Sequence, residues 1–232
     1  MARRTKADAE KTRARIIASA LSLFVRKGYE RTTFNDIASR LKLTKGAVYW
    51  HFASKEALLV ELVDRMLKKF ERQTLSIMPK SELTFPAVAE MMVENARRVV
   101  ESATGRAFFM LMKRHIRWSS DNMSAVREQL LVNSRFGPWS AFIASVENDM
   151  ASGRARRDAD PVETANICIS IWDGIVQAQI DGFLKTDMCV TIRHALDAVW
   201  DYIKVEGADG GRDGSRAADG GPDARSTETK EG

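Results

Sequence analysis

The chain has 232 residues, of which 44% are hydrophobic and 29% charged, a composition typical of a soluble globular protein that can bury a core. No stretch reaches the roughly 18 to 20 apolar residues of a membrane helix, and the charged N-terminus lacks the apolar run of a secretory signal, so we expect a cytoplasmic protein with no membrane partner. Its two cysteines, Cys168 and Cys189, are too few and too far apart for a zinc site or a disulfide framework, and the net charge of +5 is modest.

Helical periodicity dominates the chain and predicts an all-α fold. The first predicted helix runs from about Asp8 to Arg26, ends before Gly28, and has one apolar face made of Ile16, Ile17, Ala20, Leu21 and Phe24. Residues 1 to 51 carry twelve Lys and Arg against four Asp and Glu, a net charge of +8, whereas the rest of the chain is slightly acidic. This asymmetry indicates either a nucleic-acid footprint or a solvated, lysine-rich surface.

Two short helices follow, each with its own N-cap. Thr33 can cap the second helix, and Asp36 completes a capping-box-like pair with it. Thr44 can cap the third helix after a tight turn. Two short helices joined in this way form a helix-turn-helix, whose second helix lies in the DNA major groove.

The third helix explains the run of four aromatic residues in LTKGAVYWHFASKEALL. Ala47 and Val48 are predicted to pack inward, which leaves Lys45, Gly46, Tyr49 and Trp50 on the opposite side as DNA-binding candidates. Phe52 is predicted to turn inward, and Trp50 to pack partly under the loop. Gly46 costs about 1 kcal/mol of helix stability relative to alanine, which indicates close approach by another backbone. Four side chains can form hydrogen bonds or ion pairs with phosphates or base edges: Lys45, Tyr49, His51 and Lys55.

A long amphipathic helix, capped by Ser54 and spanning residues 54 to 75, is predicted to connect two domains. The first domain covers residues 1–53 and the second covers residues 54–206. The remaining predicted helices are Phe85 to Ser102, Arg106 to Trp118, Met123 to Ala151 with a kink at Gly137-Pro138, Pro161 to Leu184, and Val190 to Val205. Residues 207–232 hold seven of the fourteen glycines and no large apolar residue, which predicts a disordered tail.

The larger domain contains no catalytic, metal-binding or phosphate-binding motif, so we expect no enzymatic activity, no cofactor and no metal. It is rich in methionine and aromatic residues, which can line a pocket for a hydrophobic ligand or form an ordinary core. Asp173 is a further polar candidate. The predicted ligand-binding residues are Phe70, Met92, Phe109, Met112, Asn133, Phe136, Trp139, Phe142, Trp172 and Gln177.

The last two helices offer apolar residues on more than one face, which indicates a second packing partner. On the first of them these residues are Ile167, Ile171, Ile175 and Ile180, with Phe183 and Leu184 at its end. On the second they are Ile192, Leu196, Val199, Trp200 and Ile203. If these positions only form the monomer core, a dimer interface must lie elsewhere.

The stretch GYERTTFNDIASRLKLTKGAVYWHFASKEALL resembles the N-terminal DNA-binding domain of the TetR family of bacterial repressors, over Ile16 to Leu62. With the start ARRTKADAEKTRARI, it is most similar to the AcrR-type branch, whose members control multidrug-efflux genes. The resemblance implies a homodimer, paired through its last two helices, that binds a palindromic double-stranded DNA operator. It also implies a C-terminal domain that releases DNA on binding an inducer. The DNA-contacting positions that it implies are Thr33, Thr44, Lys45, Gly46, Tyr49, His51 and Lys55.

The turn departs from the family pattern because Lys42 stands where glycine or asparagine is usual. A lysine at positive φ costs on the order of 1 kcal/mol, so the turn is either slightly strained or different in geometry. Lys42 is either a further phosphate contact or a solvated side chain.

Three functions are therefore compatible with the sequence. The first is a ligand-responsive repressor in which the inducer favours a dimer whose DNA-reading helices no longer match successive major grooves. The second is a dimeric DNA-binding regulator without an inducer. The third is a ligand-binding protein whose DNA-reading helices are inactive.

Overall fold

The computed structural model describes residues 6–74, 80–120, 123–133 and 137–207. The described residues form ten α-helices, which confirms the all-α prediction. The predicted tail, apart from Gly207, lies outside the described residues. The helices are α1 (Lys6–Lys27), α2 (Phe34–Leu41), α3 (Lys45–His51), α4 (Lys55–Thr74), α5 (Phe85–Glu101), α6 (Ala103–Met110), α7 (Ser124–Asn133), α8 (Pro138–Ala151), α9 (Pro161–Ile180) and α10 (Met188–Ile203).

Side-chain caps determine where several of these helices begin. The capping box predicted for α2 is confirmed, because Thr33 Oγ1 accepts from the backbone N–H of Asp36 at 3.2 Å while Asp36 Oδ2 accepts from the backbone N–H of Thr33 at 2.9 Å. Thr84, Asp160 and Asp187 cap α5, α9 and α10 through side-chain oxygens that accept backbone N–H groups, without a reciprocal bond. The predicted start of α10 at Val190 is therefore two residues late.

The single kinked helix predicted for Met123 to Ala151 is wrong. The chain forms α7 and α8 instead, and Gly137 is the N-cap of α8 with Pro138 at its first helical position. A proline needs no N–H partner at that position and its fixed φ suits the start of a helix. Gly137-Pro138 therefore starts a helix rather than bending one.

The helix predicted for Arg106 to Trp118 also has different bounds. Ser102 caps the N-terminus of α6, and after Met110 the chain continues as a π-helix, Leu111–His115. Gly105 makes the sharp α5–α6 junction possible, because a Cβ at this position would lie 2.8 Å from the carbonyl oxygen of Val99. The predicted end of α9 at Leu184 is four residues late, since the chain turns at Gly182 with φ +74°.

The first hydrophobic cluster holds α1 to α4 together. The predicted apolar face of α1 is buried here, with Ile16 and Phe24 fully covered. The cluster also contains side chains from beyond the connector helix, namely Leu111, Ile116, Met123, Val126 and Leu130. The domain limits at 1–53 and 54–206 remain a prediction, but core packing crosses them.

The second hydrophobic cluster is built from α5, α8, α9 and α10. Phe85 is fully buried at its centre, stacked on Trp200 at a centroid distance of 5.5 Å and inclined to Phe142 at the same distance. Phe109 of α6 belongs to this cluster, whereas Leu111, two residues later, belongs to the first. The α6 and π-helix segment therefore packs against both clusters. Among the described helices, none combines the length and apolarity needed to cross a lipid bilayer.

Asp149 is a fully buried carboxylate that organises the second cluster. Its Oδ2 accepts from the backbone N–H of Phe85 at 2.7 Å, and its Oδ1 accepts from Arg154 Nε at 2.7 Å. The carboxylate thus satisfies an N–H in the first turn of α5 and pairs with a cation three residues after the end of α8.

We expect the Asp149→Ala substitution to lower the free energy of unfolding by about 2 to 3 kcal/mol, because it leaves a buried N–H and a guanidinium without their acceptor. Chemical denaturation at fixed protein concentration measures this change. Asp158→Ala is the matched control, since Asp158 is 78% exposed and its loss should change stability by less than about 0.5 kcal/mol. Equal effects of the two substitutions would contradict the role assigned to Asp149.

Candidate nucleic-acid interface

The helices α2 and α3 are joined by a turn of three residues, Lys42, Leu43 and Thr44. Lys42 adopts the left-handed conformation, with φ 55° and ψ 42°, and is the only non-glycine residue with positive φ in the described chain. The backbone N–H of Leu43 donates to Ala38 O at 2.9 Å and that of Lys42 donates to Ser39 O at 3.2 Å, which is the hydrogen-bond pattern of a Schellman motif. Of the two alternatives for the turn, the structure shows the first: the usual geometry, with Lys42 in a slightly strained left-handed conformation.

Helix α3 is held by a local cap and by one buried face. Thr44 Oγ1 accepts from the backbone N–H of Ala47 at 3.1 Å. Val48 is fully buried and Phe52, just after the helix, is 2% exposed, as predicted. The opposite face of the helix therefore points away from the core.

Four residues form the outward face of α3, which we call the recognition face: Lys45, Gly46, Tyr49 and Trp50. All four are exposed, with 50% exposure for Tyr49 and 70% for Trp50. The Tyr49 ring packs edge-on against Phe34 of α2 at 4.9 Å, and Lys45 Nζ lies 5.6 Å from its centroid. The recognition face thus presents a cation, a hydroxyl, a bare backbone and an indole together.

Nothing in the described chain requires a glycine at residue 46. A Cβ built there would meet only Thr44 Oγ1, at 4.0 Å, which is ordinary van der Waals contact. Its φ is not in the left-handed region, so alanine would fit and would favour the helix. This supports the prediction that Gly46 serves the close approach of another molecule.

The predicted packing of Trp50 under the loop is wrong. Its side chain is largely exposed and contacts the His51 ring edge-on, at a centroid distance of 4.6 Å. Residues two positions apart in an α-helix are rotated by about 200° around its axis, so Trp50 lies nearly opposite the buried Val48.

His51 lies on the core side of α3 and is only 7% exposed. It follows Val48 by three residues and therefore shares its buried face. This removes its imidazole from the recognition face, so the predicted phosphate contact has no support from its position. Its backbone carbonyl instead accepts a hydrogen bond from Arg13 Nη1.

Lys55 and Thr33 are also engaged within the protein. Lys55 Nζ donates to the carbonyl oxygens of Tyr29 at 3.0 Å and Glu30 at 3.1 Å, and lies 4.4 Å from the Tyr29 ring centroid. Lys55 therefore links the loop after α1 to the start of α4. Because its ammonium group is engaged by these carbonyls, the geometry does not support the predicted phosphate contact. Thr33 and Thr44 are exposed, although both hydroxyls also cap helices.

By its place in the sequence, Arg13 is only one of several basic residues on the polar face of α1. In the structure its guanidinium reaches α3 and α4, through His51 and Glu61. These partners lie 38 and 48 residues away in the sequence, so no local pattern could reveal the contact.

Four of the predicted ligand-binding residues lie in the second cluster: Met92, Phe109, Phe142 and Trp172. Trp172 Nε1 donates to the carbonyl oxygen of Met92 at 2.9 Å, and the Phe109 and Trp172 rings meet edge-on at 6.0 Å. Phe142 is fully buried in the same cluster. Met92, Phe109 and Trp172 form an apolar group where α5, α6 and α9 meet.

The other predicted ligand residues are not brought into that group. Met112 packs against the first cluster, and Trp139 is 39% exposed at the start of α8. Gln177 Nε2 donates to Asp181 Oδ2 at 2.7 Å, and Asp173 forms an ion pair with Lys113 of the π-helix. The side chains of Phe70, Asn133 and Phe136 lie outside the described part of the structure.

The last two helices divide their apolar residues between core and surface. Ile192, Leu196, Trp200 and Ile203 of α10 are buried within the chain, so these four of the predicted apolar positions belong to its core. The exposed apolar side chains on and next to these helices are Val162, Ile167, Phe183, Val190, Tyr202 and Val205.

Comparison with known proteins identifies relatives of both parts of the chain. Residues 16–62 match the family model described as bacterial regulatory proteins, tetR family. The HTH-type transcriptional regulator TtgR of Pseudomonas putida is 30% identical over 209 residues, which cover 90% of this chain and 99% of that protein. The "Probable acrEF/envCD operon repressor" of Escherichia coli is 48% identical over 62 residues, so the chain spans only 28% of that relative.

A solved structure, described as a SmeT-triclosan complex, has the same fold. It superposes with a TM-score of 0.69 over 90% of this chain and all of that one, at 24% sequence identity. The similarity therefore extends through the larger helical part as well as through α1 to α4.

We expect the Gly46→Ala substitution to have opposite effects on stability and on DNA binding. It should raise the free energy of unfolding by about 0.5 to 1 kcal/mol, because alanine favours a helix and the site has room for a Cβ. It should weaken binding to the cognate DNA fragment, because the added methyl group lies on the recognition face. Thermal unfolding and binding titrations at fixed salt measure the two effects. An unchanged affinity would show that no partner approaches Gly46 closely.

Proposed function

Because the chain belongs to the tetR family of bacterial regulatory proteins, we propose that it is a transcriptional repressor that binds a palindromic operator as a homodimer and releases it on binding a hydrophobic small molecule. The relatives described above are named as a transcriptional regulator and an operon repressor, not as enzymes. The proposal adds the operator symmetry, the ligand class and the regulated process.

The observation that carries the proposal is the recognition face of α3. Lys45 and Tyr49 can donate to phosphate oxygens or base edges, while Gly46 leaves room for the DNA backbone. The exposed indole of Trp50 adds apolar surface that can contact a thymine methyl group or a sugar. Lys42, exposed in the turn, is either a phosphate contact or a solvated side chain, and the operator experiment below distinguishes these roles through its salt dependence.

A two-fold dimer suits this arrangement because it would place two α3 helices on half-sites about 34 Å apart, one turn of DNA. We propose that α9 and α10 pair with their counterparts in the partner subunit. The exposed side chains of Ile167, Val190 and Tyr202 support this choice, since large apolar groups at the surface favour a partner.

The apolar group formed by Met92, Phe109 and Trp172 is the proposed inducer site. Methionine and aromatic side chains adapt to hydrophobic ligands of variable shape. The related SmeT structure is described as a complex with triclosan, which supports a ligand of this class. The resemblance to the AcrR-type branch and the relative named for the acrEF/envCD operon support control of an efflux system.

The operator test compares DNA upstream of the gene with an unrelated fragment of equal length, in mobility-shift assays at about 150 mM salt, where non-specific binding is suppressed. We expect preferential binding to one palindromic site. Tyr49→Ala should weaken this binding at least about tenfold, because it removes a phosphate or base contact from the recognition face. A Lys42→Ala variant that reduces the salt slope by about one would assign a phosphate contact to Lys42.

The main alternative makes a different prediction in the same assay. Equal, salt-sensitive binding to both fragments, unaffected by Tyr49→Ala, would contradict the repressor proposal. It would favour a ligand-binding protein whose DNA-reading helices are inactive.

The inducer test uses triclosan as the probe. We expect triclosan to lower operator affinity at fixed salt, and Trp172→Phe to weaken its effect about fivefold by removing apolar surface of the proposed site worth about 1 kcal/mol. Trp139→Phe is the matched control, because Trp139 is partly exposed and lies outside the proposed site. If triclosan leaves operator affinity unchanged, the inducer proposal is contradicted for this ligand, and a dimeric DNA-binding regulator without an inducer is favoured.

A further inference from the structure

Arg13 lies at the junction of α1, α3 and α4. Its Nε donates to the two carboxylate oxygens of Glu61 at 2.8 and 2.9 Å, and its Nη2 donates to the same group. Its Nη1 donates to the carbonyl oxygen of His51, the last residue of α3. The guanidinium carbon also lies 4.2 Å from the centroid of the Phe52 ring.

The contact with His51 acts on the C-terminal end of α3. The last carbonyl groups of a helix have no partner within the helix, and the negative end of its dipole attracts a cation. The same guanidinium lies over the ring of Phe52, the residue that follows the last helical residue. Arg13 therefore fixes both the end of α3 and the direction of the chain after it.

The contact with Glu61 fixes Arg13 itself. The Glu61 side chain is 22% exposed and also accepts hydrogen bonds from Arg65 at 2.7 and 3.0 Å. Partial burial opposes ionisation of Glu61, but the hydrogen bonds from Arg13 and Arg65 outweigh it and lower the pKa of this carboxyl group. A charged carboxylate that accepts hydrogen bonds from two arginines holds the Arg13 guanidinium in one orientation.

These contacts separate Arg13 from the basic residues that could bind phosphate. All three of its nitrogens donate within the protein, and its charge is paired with Glu61. The apolar packing of Val48 holds α3 against the core but has little directional preference, whereas a guanidinium fork does. The orientation of the recognition face therefore depends on a directional contact made from behind it.

We propose that Arg13 is a positioning residue for DNA sequence recognition: it orients α3 in the major groove without touching the DNA. This inference rests on the proposed function, since it concerns how the same recognition face reads an operator. The Arg13–Glu61 pair thus controls the ratio of operator affinity to non-specific affinity, rather than the overall affinity for DNA.

The test measures the affinity of Arg13→Gln for the operator fragment and for an unrelated fragment over a range of salt concentrations, together with its melting temperature. We expect the ratio of the two affinities to fall at least about tenfold, the equivalent of one good base contact. The affinity for the unrelated fragment and the salt slope should change no more in Arg13→Gln than they do in Arg15→Gln. Arg15 is exposed on the same helix, so this control removes an equal charge.

Two further variants separate positioning from other roles. Arg13→Lys keeps the charge but cannot bridge Glu61 and His51 in the same way, so it should not restore the ratio. If Arg13 contacts a phosphate directly, Arg13→Lys keeps that contact, whereas Arg13→Gln reduces the salt slope by about one. This result would overturn the proposal. Glu61→Gln replaces Arg13→Gln if the latter does not fold, and an unchanged ratio in Glu61→Gln would also overturn it.

A failure of the proposed function looks different from a failure of this inference. If the unsubstituted protein has no preference for any operator, the repressor proposal fails. If it has a preference that Arg13→Gln retains at full strength in a folded protein, only the positioning role of Arg13 fails.

Discussion

The burial of one face of a seven-residue helix is the constraint on which the rest of this structure depends. A helix as short as α3 is not stable alone, because too few hydrogen bonds follow its nucleation. It is held by the Thr44 cap at its start, by Val48 in the core, and by Arg13 at its end. Each of these contacts lies behind or beside the helix, which leaves the recognition face open to a partner.

The packing of α6 and the π-helix makes the two hydrophobic clusters dependent on each other. Phe109 belongs to the cluster that contains the proposed inducer site, and Leu111 belongs to the cluster that supports α3. A ligand that displaces Phe109 acts on a segment whose next turn packs against α1. The ion pairs from Lys113 to Asp173 and from Arg114 to Asp181 hold the π-helix against α9, so the segment is fixed on both sides.

Local chemistry can be predicted from the sequence, whereas contacts between distant residues cannot. The capping box of α2, the cap of α3 and the apolar face of α1 follow from residue types at short spacings, and the structure has all of them. The conformation of Lys42 does not follow in this way, because lysine disfavours the positive φ that the turn imposes on it. The roles of His51 and Lys55 are less predictable, because the burial of His51 and the hydrogen bonds from Lys55 to the loop carbonyls depend on the tertiary fold. Proline at residue 138 indicates a kink when its neighbours are assumed helical, although the same fixed φ equally begins a helix.

Trp50 has a further consequence for experiments on this protein. The chain has five tryptophans, and Trp50 is the most exposed of them, at 70%, while Trp172 and Trp200 are at most 8% exposed. The emission of an indole depends on the polarity around it, so covering Trp50 with DNA changes a signal that Trp172 and Trp200 do not share. The recognition face therefore carries its own optical reporter, and replacing Trp139 and Trp118 by phenylalanine would isolate it without an attached dye.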